Sequence, residues 1–268
     1  MPSLLFAQED ALRRLFPAQP TNYLTDAAQI VDPETETAIN DLAARLRTAT
    51  GAELAVVTLP TIEDRAPDDV ALAIGRAWGV GARAEIGDSS RNAGIVLLLV
   101  PRTPEHKGEI YLATGRGIEG IITDARAGRI TDLMLPLLRE GRWGDALLLG
   151  TRATAAMVAR GYGVSDSVLA AADPFAGERE GPRYNPLLVL LLVLIIFMVL
   201  SQLARRAGPS RGYRRRRRGP GVFWGGPGGG WSGGGGWGSG GWGGGGSGGF
   251  GGFGGGGGFS GGGAGRSF

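Results

Sequence analysis

The segment TGRGIEG, residues 114–120, has the glycine spacing G-x-G-x-x-G of loops that bind the pyrophosphate of a dinucleotide. In such loops the helix begins inside the motif, because the pyrophosphate lies on the helix N-terminus. Here a β-branched pair follows at 121–122, and the first capping residues are Thr123 and Asp124. Residues 137–140, where the ribose-binding acid of a second strand would fall, end a helical pattern instead. The sequence therefore predicts a turn, and no dinucleotide as a ligand.

Few other side chains offer catalytic or metal-binding chemistry. The chain has no cysteine, which excludes disulfides and thiolate metal sites, and its one histidine, His106, lies beside Lys107 in a polar turn. A serine-histidine-aspartate triad would have to use His106, which we interpret as a solvated loop residue. Carboxylates therefore remain as the candidates for chemistry.

Hydrophobic periodicity predicts the elements that position these carboxylates. An amphipathic helix begins after Asp32, where proline follows the capping aspartate, and three more helical patterns come later. Short apolar runs at 52–60, 94–101 and 109–115 predict buried strands. A helix connects the first two, which makes them parallel, whereas the third is expected to form an antiparallel hairpin with the second. This order predicts one α/β domain, an α/β/α sandwich with a mixed sheet, over residues 22–162.

Residues 187–204 form a stretch of 18 residues without charge. As a helix they would be ~27 Å long, close to the ~30 Å core of a bilayer, which predicts a transmembrane helix at 185–204. Eight arginines follow within 205–218, and positive charge stays on the cytoplasmic side of a membrane. We therefore predict a single-pass protein of the cell membrane. Its N-terminal domain and the linker 163–184 are extracytoplasmic, and its C-terminal tail is cytoplasmic.

The two ends of the chain differ from the domain in composition. Residues 1–21 include SLLFAQE, which is similar to the last residues of a signal peptide, so we interpret them as a possible signal-peptide remnant. Residues 219–268 are glycine with recurring Trp, Phe and Ser, and such a tract is predicted to be disordered. Without the arginines of 205–218 and Arg266, 19 basic residues face 25 acidic ones. The basic tract beside a membrane span indicates anionic lipid rather than nucleic acid as its partner.

Six blocks of sequence, in order, resemble the TPM domain family. They are YLTDAAQIVD, TGAELAVVTLP, AWGVG, NAGIVLLLV, IYLATGRGIEGIITDARAG and LLREGRWGDALLLG, and they cover roughly residues 23–162. The family is found in membrane-tethered bacterial proteins, in a thylakoid-lumen protein of photosystem II repair and in an auxiliary protein of nematode acetylcholine receptors. The resemblance implies an α/β sandwich in which the glycine block is a turn and not a cofactor loop. The order of domain, membrane helix and glycine-rich tail is also similar to that of bacterial members.

The resemblance implies a candidate metal site made of oxygen ligands. Asp26, Asn92 and Asp124 match residues of the family's motifs, and Asp88 lies near the second of these. Such residues sit at strand ends and helix starts, where open α/β sheets bind ligands. Without histidine or cysteine, these ligands suit Ca²⁺ or Mg²⁺. The alternative is structural: Asp26 and Asp124 cap helices or turns, and Asn92 shapes a loop.

The resemblance leaves more than one function open. We favour a non-catalytic, membrane-anchored extracytoplasmic domain that assists or regulates membrane protein complexes through a protein partner, with a divalent cation as an optional ligand. The alternative is a weak divalent-metal-dependent phosphatase, an activity attributed to some relatives. The chain offers no nucleophilic Asp-x-Asp pair and no evident general acid for that chemistry. An adhesive or lectin-like surface module is a third, less favoured hypothesis.

Overall fold

The computed structural model describes residues 12–81, 92–171, 174–175, 191, 194–198, 250 and 252–268. The chain forms two compact units, one of residues 1–177 with 248–268 and one of residues 178–247. Of the second unit only six apolar residues are described, and they are helical and exposed. All the elements named below belong to the first unit.

Local signals in the sequence determine where the first two helices of the domain begin and end. Helix α1 spans Pro33–Thr50 and helix α2 spans Pro67–Trp78, each with proline in its first turn. Asp32 caps α1 and accepts the Thr35 N–H at 2.9 Å. The glycine after each helix has a positive φ, 73° after α1 and 66° after α2, and this left-handed conformation ends the helix.

Three further helices follow along the chain: α3 (Asp124–Arg139), α4 (Trp143–Gly161) and the short α5 (Ser167–Ala171). Pro136 lies in the last turn of α3, and the helix continues past it to its end. The buried faces of α1 and α2 are those that the periodicity predicts. They consist of Ile39, Leu42, Ala43 and Leu46 in α1, and of Val70, Ala71, Ile74 and Trp78 in α2.

Five strands form a single sheet. They are β1 (Leu24–Asp26), β2 (Glu53–Thr58), β3 (Gly94–Val100), β4 (Glu109–Gly115) and β5 (Phe259–Ser267). The strands lie in the order of the sequence, with β1, β2 and β3 parallel, and β4 and β5 antiparallel to their neighbours. The prediction of a mixed sheet is confirmed, including the parallel pairing of β2 with β3 and the hairpin of β3 with β4.

Helices cover both faces of this sheet. In β3, Ile95, Leu97 and Leu99 pack in a core with α1, α3 and α4. The alternate residues Val96 and Leu98 pack in a second core with α2. Because successive side chains of a strand point to opposite faces, a wholly apolar strand such as β3 needs cover on both sides. The fold is therefore an α/β/α sandwich.

The fifth strand comes from the glycine-rich tail, and this corrects a prediction. We expected disorder throughout 219–268, and this is wrong for residues 252–268, which the structure describes. There, β5 pairs with β4 from Glu109 opposite Ser267 to Gly115 opposite Phe259. A free glycine tract cannot offset its backbone entropy, but the edge of β4 gives it hydrogen-bond partners and a buried place for a phenylalanine ring.

Several predicted segments lie wholly or largely outside the described residues. These are residues 1–11 of the N-terminal segment, most of the linker 163–184 after residue 171, most of the predicted span 185–204 and the arginine-rich tract 205–218. Within the part of the chain that the structure describes, no helix has the length and apolar character needed to cross a bilayer.

Candidate functional site

Asp26 ends β1 at the carboxyl ends of the parallel strands. Its two carboxylate oxygens accept the N–H groups of Ile30, at 3.3 Å, and Val31, at 2.9 Å. The Thr58 hydroxyl, at the end of β2, donates to the same carboxylate. The side chain therefore holds the turn that leads from β1 to α1, as the structural alternative expects.

Asn92 lies at the other end of the sheet, directly before β3, with a φ of 55°. Its carbonyl oxygen accepts the Gly117 N–H at 3.1 Å. Gly115 lies so close that a Cβ there would overlap this same oxygen. The left-handed conformation of an asparagine and the close approach of a glycine backbone thus hold the end of β4 beside the start of β3.

Asp124 is the first residue of α3, and its side chain is exposed. One carboxylate oxygen accepts the Gly263 N–H of β5 at 2.8 Å. Asn92 also contacts the tail, because a Cβ at Gly258 would overlap its amide group. Both residues therefore face the segment 258–263 and not an open crevice.

The structure does not bring the two predicted ligands Asp26 and Asn92 together. Asp26 of β1 pairs with Thr58 at the carboxyl end of β2. Asn92 lies two residues before Gly94, which pairs with Glu53 at the amino end of β2. Five residues of strand separate these two levels, which is ~17 Å at about 3.3 Å per residue. Asp88 lies outside the described residues. Among those described, no group of three or more His, Cys, Asp or Glu side chains is arranged to hold a metal ion. Asp26 and Asn92 therefore do not share one Ca²⁺ or Mg²⁺ site, and a site that includes Asp88 stays a prediction.

The glycine motif is a turn that precedes its helix. The residues after β4 form consecutive turns until α3 begins at Asp124, with Thr123 as its N-cap residue, where the sequence predicts the helix to begin. In this turn the Arg116 N–H donates to the Gly258 carbonyl at 2.9 Å. The Ser260 hydroxyl donates to the Glu119 carboxylate. His106 is exposed in the turn between β3 and β4, as the sequence predicts.

The tail fills a second place on the domain, which we call the strap cleft and define by Tyr23, Arg47, Glu53 and residues 79–81. Glu53 opens β2 and is 1% exposed. Its carboxylate accepts the Gly81 N–H at 2.7 Å and the Gly254 N–H at 2.9 Å, and lies 3.0 Å from the Arg47 guanidinium. The buried charge is thus paired and fully hydrogen-bonded, as a buried carboxylate must be.

The tail residues in the strap cleft, Phe250 and 252–257, are called the strap. Arg47 donates to the Gly252 carbonyl at 2.9 Å. The N–H groups of residues 255, 256 and 257 donate to the carbonyls of residues 79, 81 and 80 at 2.8, 2.6 and 3.2 Å. Phe250 and Phe253 pack edge-on against the Tyr23 ring, with centroid distances of 4.8 and 6.0 Å. The strap is therefore bound through its backbone and two aromatic rings.

The Arg47 guanidinium in the strap cleft stays positively charged. Burial lowers the pKa of Arg47, but its hydrogen bond to Tyr23 and the charge of Glu53 together raise that pKa above its ordinary value. Arg47 is therefore a permanent cation beside the buried Glu53. Sequence reasoning missed this pair. The signal was Glu53 itself, an acid that opens the mainly apolar strand ELAVVT and so requires a partner.

Beyond the strap, the tail continues as β5, and two rings anchor it. The Phe259 ring is 3% exposed and lies against Gly75 of α2, where a Cβ would come within 2.6 Å of it. The Phe268 ring lies over Gly108 and 5.8 Å from the Trp143 ring. Arg76 donates to the Phe259 carbonyl at 3.0 Å. The domain surface thus has a glycine at each place where one of these two rings packs against it.

Comparisons with known proteins identify the domain. A model of the TPM domain, which carries the name TPM_phosphatase, matches residues 24–157, half of the chain. Among solved structures, the chain is similar to the N-terminal domain of a protein from P. gingivalis, determined by solution NMR. The two are 28% identical, the match covers 59% of this chain and 92% of the other, and the TM-score is 0.46. No curated protein matches the chain.

Proposed function

Because this chain belongs to the TPM domain family, we propose that it is a membrane-anchored, extracytoplasmic accessory domain. It assists or regulates membrane protein complexes by binding an extended protein segment along β4. The predicted span at 185–204 is the anchor, and the arginines after it set the orientation.

The single observation that supports this binding mode is the β4–β5 ladder. Every residue of β4, from Glu109 to Gly115, is paired with a residue more than 140 positions later in the chain. An edge strand with unpaired N–H and C=O groups is a template for another strand. Adding an extended segment to such an edge is a common mode of peptide recognition, in which backbone bonds give affinity.

The membrane topology that we propose limits which segment can fill this edge. Pairing of β5 with β4 in one molecule requires both strands on the same side of any bilayer. A single crossing at 185–204, with an extracytoplasmic domain and a cytoplasmic tail, would put them on opposite sides. In the topology that we propose, the edge of β4 is therefore open, and a partner's segment takes the place of β5.

Photo-crosslinking in membranes tests this proposal. A photoreactive amino acid replaces Tyr111 of β4, and a control carries it at Val168, which is exposed on α5. We expect a discrete crosslinked protein from position 111 only, and we expect a synthetic peptide with the sequence of residues 259–268 to suppress it. Crosslinking of position 111 solely to the chain's own tail would refute a partner at this edge.

The phosphatase is a second candidate, supported by the name of the matching family model. The structure gives it no metal cluster among the described residues, so we assign no catalytic step to a metal. Hydrolysis of a phosphomonoester by the full chain with Mg²⁺ or Ca²⁺ tests it, with Asp124→Asn as the variant and Asp132→Asn, on the same helix, as the control. Turnover that Asp124→Asn abolishes and Asp132→Asn retains would favour the enzyme.

A further inference from the structure

The strap cleft lies at the amino ends of β2 and β3, apart from the edge of β4. Its receiving residues come from three separate elements: Glu53 from β2, Arg47 from α1, and residues 79–81 from the turn after α2. This site forms hydrogen bonds with both N–H and C=O groups of the strap backbone. Unlike the edge of β4, it does so without forming a strand ladder.

The geometry of the cleft selects the type of segment that can bind. A Cβ on Gly79 would come within 2.6 Å of the Gly255 Cα, so two backbones touch directly at this point. Residues 255 and 257 have φ of 77° and 57°, a conformation that side chains disfavour. A run of glycines satisfies both conditions, and a run of larger residues does not.

The polar and aromatic contacts add two further requirements. Glu53 accepts an N–H at position 254, so proline is excluded there, and the hydrogen bond is charge-assisted. Tyr23, Phe250 and Phe253 form a cluster of mutually edge-on rings, with 5.1 Å between the two phenylalanines. Two phenylalanines three residues apart, followed by glycines, therefore meet every contact of the cleft.

From these contacts we infer that the strap cleft is a receptor site for extracytoplasmic segments of the pattern Phe-x-x-Phe followed by a glycine run, supplied by a partner protein. The strap in this structure stands in for that segment. The inference rests on the proposed function, since it names the chemistry of the partner segment that also adds to β4.

A peptide-binding experiment tests the inference on the full chain, reconstituted in proteoliposomes with the domain outside. The probe is a fluorescent synthetic peptide with the sequence of residues 250–268. We expect saturable binding, and we expect Glu53→Gln to weaken it at least about tenfold, the effect of losing a charge-assisted hydrogen bond in a buried site. The control Glu63→Gln changes an exposed carboxylate in the loop after β2, at the other end of the sheet from the strap cleft, and should leave binding within about threefold.

Changes in the peptide avoid any effect on folding of the domain. A probe with Gly254→Pro lacks the N–H that Glu53 accepts and should bind at least about tenfold more weakly, whereas a probe with Gly254→Ala keeps it and should bind like the parent. Equal binding of the proline and alanine probes would overturn the inference. Binding that appears only when the chain's own Gly254 is replaced by proline would overturn the assignment to a partner and identify the strap as the occupant.

A third probe separates this inference from the proposed function. Gly263→Val places a side chain against the Leu112 carbonyl and so disrupts pairing with β4 without changing the strap. If this probe binds like the parent while the Gly254→Pro probe fails, the cleft stands and the edge function falls. The opposite result leaves the edge function and removes the cleft.

Discussion

Replacing Phe259 by alanine measures how strongly the tail is held on the domain. The ring is 3% exposed and packs in the core beneath α2. An aromatic ring buries roughly 150–250 Å², which at about 25 cal/mol per Å² corresponds to about 4–6 kcal/mol. Measured Phe→Ala changes in protein cores cost about 3–5 kcal/mol. We expect a loss near 3 kcal/mol, because β5 can detach before the domain unfolds and so limits the cost.

Two measurements on the full chain in detergent micelles, where no bilayer separates the tail from the domain, check this value. Urea unfolding followed by circular dichroism gives the free energy of unfolding, and hydrogen exchange compares amides of β4 with those of β3. In the Phe259→Ala variant, we expect amides of β4 to exchange about 100-fold faster, as roughly 3 kcal/mol implies. We expect β3, which has neighbours on both sides, to change less.

Ser260→Ala is the matched control, since Ser260 is the next residue of β5 and is exposed. Its free energy of unfolding should lie within about 0.5 kcal/mol of the parent chain. If Phe259→Ala leaves both the free energy of unfolding and the exchange of β4 at the values of this control, the tail does not add a strand to the sheet in micelles. The binding mode proposed for the edge of β4 would then lose its support.

Three further predictions concern single side chains. Gly263→Ala places a Cβ against the Leu112 carbonyl, so hydrogen exchange in β4 should rise at least about tenfold, whereas Gly261→Ala, also at positive φ but in open space, should change it less. Asp26→Ala removes the acceptor of two backbone N–H groups and should lower the free energy of unfolding in urea by about 1–3 kcal/mol. The exposed-site control Ser260→Ala should change this free energy far less. The hydrogen bond from the Thr35 N–H lowers the pKa of Asp32 in the folded state. The stabilisation by this cap is therefore present above the unfolded pKa of Asp32 and is lost as the pH falls through its folded pKa. Urea unfolding below pH 4 should therefore show a smaller difference between the parent and Asp32→Ala than unfolding at pH 7; an equal difference at both would contradict the cap.

Much of the domain could be predicted from the sequence, because its signals are local. Asp32 with the following proline sets the start of α1, and a short, unbroken apolar run such as GIVLLLV is typical of a strand buried on both faces. The helix after the glycine motif begins at Asp124, as the β-branched pair before it predicts. The short β1 was not predicted, because three residues carry too little periodicity.

The candidate site was less predictable, because it depends on which ends of the strands meet. The resemblance to the family implied that Asp26 and Asn92 could act together, yet parallel pairing of β1, β2 and β3 puts them at opposite ends of the sheet. Glu53 and Arg47, which do meet, are six residues apart in sequence and carry no motif. Their pairing follows only from the packing of α1 beside β2.

The sequence by itself determined the α/β order, the caps of the helices, the family and the apolar segment at 187–204, since each depends on residues close together in the chain. Only the tertiary structure decided that the glycine-rich segment 252–263 takes an ordered conformation. A glycine has no side chain whose pattern could reveal its partner, and its backbone adopts almost any conformation. Its place is fixed by the hydrogen bonds that the edge of β4, Glu53 and the turn after α2 offer to it.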